Sequence, residues 1–196
     1  ISDDYPALPA MPGVAGTVDA HDLAQAVAQV VIAASRDETL PLLTSVQMQV
    51  EGERLTLMAT DRYRLAVREM TWSPQDAGLT THALLKARTL SDVAKSLTST
   101  GDVTVALTEA GASSSGLIGF EAGGRRTTSL LTDGDYPPVL RLFPETTTIH
   151  AAVGREELMA AVRRVSLVAD RSTPIHMSFT EGSLALDAGT GDDAQY

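Results

Sequence analysis

The segments "DLAQAVAQVVIAASRD" (22–37) and "ELMAAVRRVSLVADRS" (157–172) lie over one another at an offset of 135 residues. Leu23 matches Leu158, Ala26 matches Ala161, Val27 matches Val162, Val30 matches Val165 and Ala34 matches Ala169. Their apolar positions recur at i, i+3, i+4 and i+7, the stripe of a helix with one buried face. A second pair follows each helix. "EGERLTLMA" (51–59) lies over "EGSLALDA" (181–188), with Glu51-Gly52 on Glu181-Gly182. Leu55 and Leu57 fall on Leu184 and Leu186 once one residue is dropped. Apolar residues at every second position after a glycine turn predict strands. A third phrase also recurs: "DDYPALPAMPG" (3–13) and "DGDYPPVLRLFPET" (133–146), with Tyr5 and Tyr136 131 residues apart.

The repeating unit is therefore helix, loop, strand hairpin and a proline-rich exit. Proline has no N–H for a sheet and restricts the residue before it, so the exit phrase is a place to leave a domain. This reading divides the chain into the tail of one copy (1–11), a complete copy (12–144) and the start of another (145–196). The first residue is Ile1, and "LALDAGTGDDAQY" closes without a cap, as expected of a piece of a longer chain. A trimmed or processed chain would have the same ends.

At 196 residues and 43% hydrophobic content the chain can bury a real core. Aromatics make up only 4%, so that core is expected to be aliphatic. There is no cysteine, which excludes disulfides and thiolate metal sites and fits a cytoplasmic setting. No run of 18 apolar residues is present to span a membrane as a helix. Net charge is −10, which by itself argues against nucleic acid, whose partners are basic over the contact face. Binding depends on where charge sits, so the placement of Lys and Arg decides the matter. Lys86, Arg88 and Lys95 fall in a second helical stretch. Arg155, Arg163 and Arg164 fall in the last copy's helix. Gathered on one surface they would hold phosphates without reading bases. An ordinary solvated helix face would carry the same residues.

Within the complete copy, helices are expected at 19–35 and 86–99. Strands are expected at 41–50, 54–60, 62–72, 81–86, 102–109, 115–122 and 125–133. Residues 73–78 read as a turn. The fold class is α+β, with helices packed on one face of antiparallel sheet. One helix in each half hints at a smaller internal symmetry.

Nothing here assembles a catalytic centre. The four histidines lack i, i+4 ligand spacing, and there is no GxSxG, P-loop or GxGxxG. "GTGDD" (189–193) could bind a cation through its carboxylates but sits where a turn is expected. No cofactor or metal is expected, and the chain reads as a binding or structural protein. "ATDRYRLAV" (59–67) says more. Asp61 can hold Arg64 by a charge-assisted bond, leaving Tyr63 and Leu65 as apolar surface beside a guanidinium. Such a patch suits a short peptide with apolar anchors, although a plain exposed strand would read the same way.

The run "LPLLTSVQMQVEGERLTLMATDRYRLAVRE", with Leu43 and the "DGDYPPVLRLFP" exit at matching spacing, resembles the middle domain of the bacterial β sliding clamp, the processivity subunit of DNA polymerase III. The wording is similar to actinobacterial members, and the likeness covers essentially the whole chain. It implies a clamp fold of three tandem copies, two chains closing head to tail around duplex DNA, helices inside and sheets outside. It implies no chemistry of its own. A pocket for the short motifs of the polymerase III alpha subunit, the clamp loader and repair polymerases would have one wall at Leu43, Thr60, Arg62, Tyr63, Arg64, Leu65, Pro137, Arg141 and Leu142. Its other wall comes from a C-terminal segment outside 1–196, so this stretch alone is expected to bind peptide weakly. Lys86, Arg88, Lys95, Arg163 and Arg164 would face DNA, and Leu167 and Val168 resemble the apolar pair sealing the homodimer. Leu40, Pro41 and Leu42 depart from relatives whose loop there is polar or aromatic. The alternative is a duplicated peptide-binding adaptor that encircles nothing.

Overall fold

A computed structural model describes residues 10–97, 101–108, 116–169 and 173–188. The chain divides between Leu142 and Phe143 into two compact units.

In the first unit, β1 (Val14–Asp19) leads into α1 (Ala20–Val30), which ends in a 3-10 turn, Val31–Ala33. Asp19 caps the helix: its Oδ1 accepts the Asp22 N–H at 3.0 Å. Then come β2 (Ser45–Glu51), β3 (Arg54–Thr60), β4 (Leu65–Thr71), the short β5 (Ser73–Pro74) and β6 (Thr80–Lys86). α2 (Ala87–Ser96) follows, then β7 (Asp102–Leu107), β8 (Leu117–Ala122), β9 (Arg125–Leu130) and a 3-10 turn at Val139–Leu142. Two antiparallel sheets result, ordered β5-β1-β7-β8-β9 and β4-β3-β2-β6. The hinted symmetry takes a particular form. Each sheet joins three consecutive strands of one half to the strand that precedes the other half's helix.

The expected stripe is the buried one: Leu23, Ala26, Val27 and Val30 are at most 1% exposed. α1 packs on α2 and over β3 and β4. The core is aliphatic, with Val46, Met48, Val50, Leu55, Leu57, Leu85, Leu90, Val103, Val105 and Ile118 sealed from solvent. A second, smaller cluster joins Met58, Leu84, Tyr136 and Val139, with Leu42, Leu65 and Val67 against it.

Several element boundaries differ from the sequence expectation. Residues 41–44 form a turn rather than the start of a strand. Thr44 Oγ1 and Ser45 Oγ both donate to the Pro41 carbonyl, which closes that turn locally. Residues 61–64 are a turn as well, and β4 begins only at Leu65. β1 was not anticipated, and Ser73–Pro74 pairs with it instead of being pure turn. The expected helix end at 98–99, strand ends at 109 and 115, the "GTGDD" stretch and most of the 1–11 tail lie outside the described residues.

The second unit contains α3 (Arg155–Ser166) and a hairpin of β10 (His176–Thr180) and β11 (Ser183–Asp187). Helix then hairpin repeats the order of α1, β2 and β3. The hairpin turns align differently from the Glu-Gly match. The first turn lies between Glu51 and Arg54, with Gly52 in its first position; the second lies between Thr180 and Ser183, with Gly182 in its second. Both glycines have positive φ, +57° and +72°, which tight turns require of one residue. Counted from the turns, Leu55 and Leu57 match Leu184 and Leu186 directly. Helix α3 has no buried residue, unlike α1.

Candidate binding surface

Of the residues expected to form a peptide wall, Thr60, Arg62, Tyr63, Arg64 and Leu65 lie together where β3 ends. Here the backbone turns from β3 to β4 in four residues held mostly by side chains. Asp61 Oδ1 accepts the N–H of Tyr63 at 3.0 Å and of Arg64 at 2.8 Å. Its Oδ2 accepts Arg64 Nε at 3.0 Å and lies 3.0 Å from Nη2, the pairing expected from the sequence. The Arg64 backbone N–H, against the opposing effect of burial and with help from the Tyr63 N–H and the Arg64 guanidinium, holds the Asp61 carboxyl below its usual range. Thr60 Oγ1 donates to the Arg64 carbonyl at 2.6 Å and accepts the Arg62 N–H at 3.2 Å.

Arg62 pays for this geometry with a φ of +80°, the left-handed region. A single side-chain-bearing residue there costs about 1–2 kcal/mol. Glycine removes that cost but loses about 0.5–1 kcal/mol to unfolded-chain entropy. Arg62→Gly is therefore expected to stabilise the fold by about 0.5 kcal/mol, read as a higher urea midpoint at unchanged slope. A lower midpoint would mean that the Arg62 side chain supports the turn.

The exit segment meets this turn from the other side. Tyr136 is 8% exposed, and its hydroxyl accepts the Thr60 N–H at 3.0 Å. Burial pushes the phenol above its ordinary pKa, partly offset by that N–H. Gly134, at φ +126°, brings the segment so close that an added Cβ would lie 2.7 Å from Leu42 Cδ2. Pro137, Arg141 and Leu142 follow, exposed, with Arg141 Nε donating to the Pro138 carbonyl. Leu65 packs into the small cluster with Tyr136 and Val139, while Tyr63 stands 90% and Leu142 71% exposed. Leu43 is half-buried in the neighbouring turn, its carbonyl accepting the Ser35 N–H. Sequence reasoning assigned no role to Tyr136 beyond its place in the repeated phrase.

The cations separate by what they touch. Lys86 Nζ donates to Thr44 Oγ1 at 2.8 Å and to the Pro41 carbonyl at 3.4 Å, so it braces the 41–44 turn. Arg88 is exposed at the start of α2, and Lys95 lies two turns on, along the same face. Lys95 Nζ is 3.8 Å from Asp92 with both side chains well exposed, a pair of little energetic weight. Arg36, which the sequence reading passed over, lines a shallow cleft with Lys86 and Arg88. In the second unit Arg163 and Arg164 are exposed in the last turn of α3, where a helix terminus favours cations. Leu167 and Val168 follow at 86% and 80% exposure. Asp19, His21 and Asp22 bring ligand atoms within 4.8 Å of one another, all exposed, with the Asp19 carboxylate already occupied as a helix cap. Among the described residues no helix is long and apolar enough to cross a membrane.

The family model for the "DNA polymerase III beta subunit, central domain" matches residues 17–138, and that for the C-terminal domain of the same subunit matches 140–196. A β sliding clamp from Micrococcus luteus is 55% identical over 97% of this chain and 60% of its own. The DNA polymerase sliding clamp of Bacillus subtilis superposes with a TM-score of 0.78 at 25% identity, covering 95% of this chain and 52% of that one. A sliding clamp of Pseudomonas aeruginosa bound to griselimycin has the same fold, with a TM-score of 0.78, 20% identity and coverage of 95% and 52%. The chain thus spans little more than half the length of these relatives. With two β-subunit domain models matched in tandem over nearly its whole length, the chain belongs to the DNA polymerase III β-subunit family, the sliding clamps.

Proposed function

We propose that this chain is the middle and following part of a processivity clamp that encircles duplex DNA and tethers the polymerase and other proteins through short peptide motifs. The observation that carries this reading is the central and C-terminal β-subunit models matched side by side. On this reading the protein is a non-catalytic, cytoplasmic subunit that needs no cofactor and works as a homodimer of longer chains. The complete domain runs over 12–144, preceded by the end of one copy and followed by the start of another.

The peptide wall comprises Leu43, Thr60, Arg62, Tyr63, Arg64, Leu65, Pro137, Arg141 and Leu142. Its physical support is the small apolar cluster under Leu65 and Val139, with exposed Tyr63 and Leu142 above it. The griselimycin-bound relative supports a ligand pocket on this fold. The alpha subunit, clamp loader and repair polymerases are the expected partners. Arg88, Lys95, Arg163 and Arg164 face the DNA, with Lys86 bracing the adjoining turn. Leu167 and Val168 form the dimer contact.

Sequence-blind phosphate contact has a measurable signature: the salt slope of binding falls by about 0.9 for each lost cation. In anisotropy titrations of this chain with a labelled duplex at low salt, Arg88→Glu with Arg164→Glu should weaken binding at least about tenfold and flatten the slope by roughly 2. Unchanged affinity and slope would remove the DNA-facing assignment and leave the peptide adaptor as the better reading.

A further inference from the structure

The pairing of β2 with β3 ends at Gln47 opposite Met58, two residues before Thr60. On the β4 side the next donor, Asp61 N–H, is taken by the Arg64 carbonyl. Thr60 N–H faces the opposite way, beyond the end of the β2 ladder. A buried amide needs an acceptor. The backbone supplies none here, and Tyr136 does, from 76 residues downstream. The same Thr60 fixes the turn through its hydroxyl, bonded to Arg64 O and Arg62 N. One phenol therefore joins the only two segments that contribute the first unit's wall beyond Leu43. The exit segment's own register is set nearby, where Thr132 N–H donates to the Leu84 carbonyl and Thr132 Oγ1 lies 3.1 Å from Ser45 Oγ. Pro137 starts immediately after the phenol, and Arg141 and Leu142 follow within one short turn.

We propose that Tyr136 is a positioning residue of the peptide site: its hydroxyl registers the exit segment against the 60–64 turn and so sets the spacing between the two parts of the wall. The inference rests on the peptide-site reading above. It differs from a role in stability alone, because the bond is made in the small cluster beside the turn and not in the main core.

The test uses the whole 1–196 chain, with griselimycin as the probe, titrated by calorimetry well below the unfolding temperature. Tyr136→Phe keeps the ring and removes only the acceptor. Its dissociation constant should rise about tenfold, the weight of one well-placed hydrogen bond. The Thr60 amide should exchange faster with solvent, and the Tyr63 and Arg64 amide resonances should shift. Val105→Ala, in the main core on β7, is the control. It should lower the unfolding temperature while leaving the dissociation constant of the folded protein unchanged. Equal affinity of Tyr136→Phe and the unaltered chain overturns the inference. So does an equal loss in Val105→Ala, which would reduce the effect to general loosening. With one wall present the binding is expected to be weak, so the titration is carried to high griselimycin concentration. If the unaltered chain shows no binding even there, the peptide-site reading falls and takes this role of Tyr136 with it.

Discussion

Leu23→Ala should lower the stability of the first unit by about 3 kcal/mol, whereas Leu158→Ala should cost about 0.5–1 kcal/mol. The two leucines hold the same place in the repeated helix. Leu23 is fully buried on α1, against α2 and the strands beyond it. Removing its branched end deletes transfer energy and leaves a cavity that well-packed neighbours cannot fill. Leu158 is only half-buried on α3, where no residue is buried. Part of its side chain is already in contact with water and no residue of α3 is sealed around it, so truncation removes less. Urea unfolding followed by far-ultraviolet circular dichroism separates the two. Similar losses from both variants would mean that α3 is covered in solution as fully as α1, and the difference between the units would then be wrong.

That contrast also marks what could be read from sequence. The stripe of α1 was legible because a helical period is local: four positions within eight residues define the face. The hairpins were legible for the same reason, from alternation on either side of a turn glycine. The 61–64 turn was legible only in part. The sequence predicts a charged turn after Asp61, yet it starts the next strand at 62. The Asp61 carboxylate capturing two backbone N–H groups, with the Thr60 hydroxyl, keeps 62–64 out of that strand. The proposed wall brings Thr60 against Tyr136, and no local pattern encodes a contact between positions so far apart. The likeness to sliding clamps named the wall residues, while their chemistry alone left an exposed strand equally open. The cations show the opposite limit. Sequence placed Lys86 and Arg88 together, yet the first is spent on a turn and the second is free of any carboxylate within 4.0 Å among the described residues.

Gly16→Ala should destabilise the first unit by about 2 kcal/mol, a loss that the composition of "VAGTVD" does not announce. A Cβ at this position would sit 2.5 Å from the Ser73 carbonyl oxygen, 2.6 Å from Trp72 Cζ3 and 2.9 Å from Pro74 Cα. Two of the three are backbone atoms of β5, which pairs with β1 through Gly16 and Thr17. They cannot swing aside as a flexible side chain would. The ring of Trp72 is equally fixed: it is 3% exposed, and its Nε1 donates to the Gly52 carbonyl at 2.8 Å. β1 also changes register against β7 at this point, between Val14 and Gly16, so the strand already bends where the methyl would have to fit. Overpacking of this kind costs about 1–3 kcal/mol, and the rigid surroundings place it at the upper end. The stiffer unfolded chain returns only about 0.4–1 kcal/mol. Gly13→Ala is the internal control, since a Cβ there meets nothing within 4 Å. It should be neutral or slightly stabilising. Measured side by side in urea, equal midpoints for the two variants would show that β1 and β5 do not approach this closely in solution, and the sheet order would have to be redrawn with β1 as its edge.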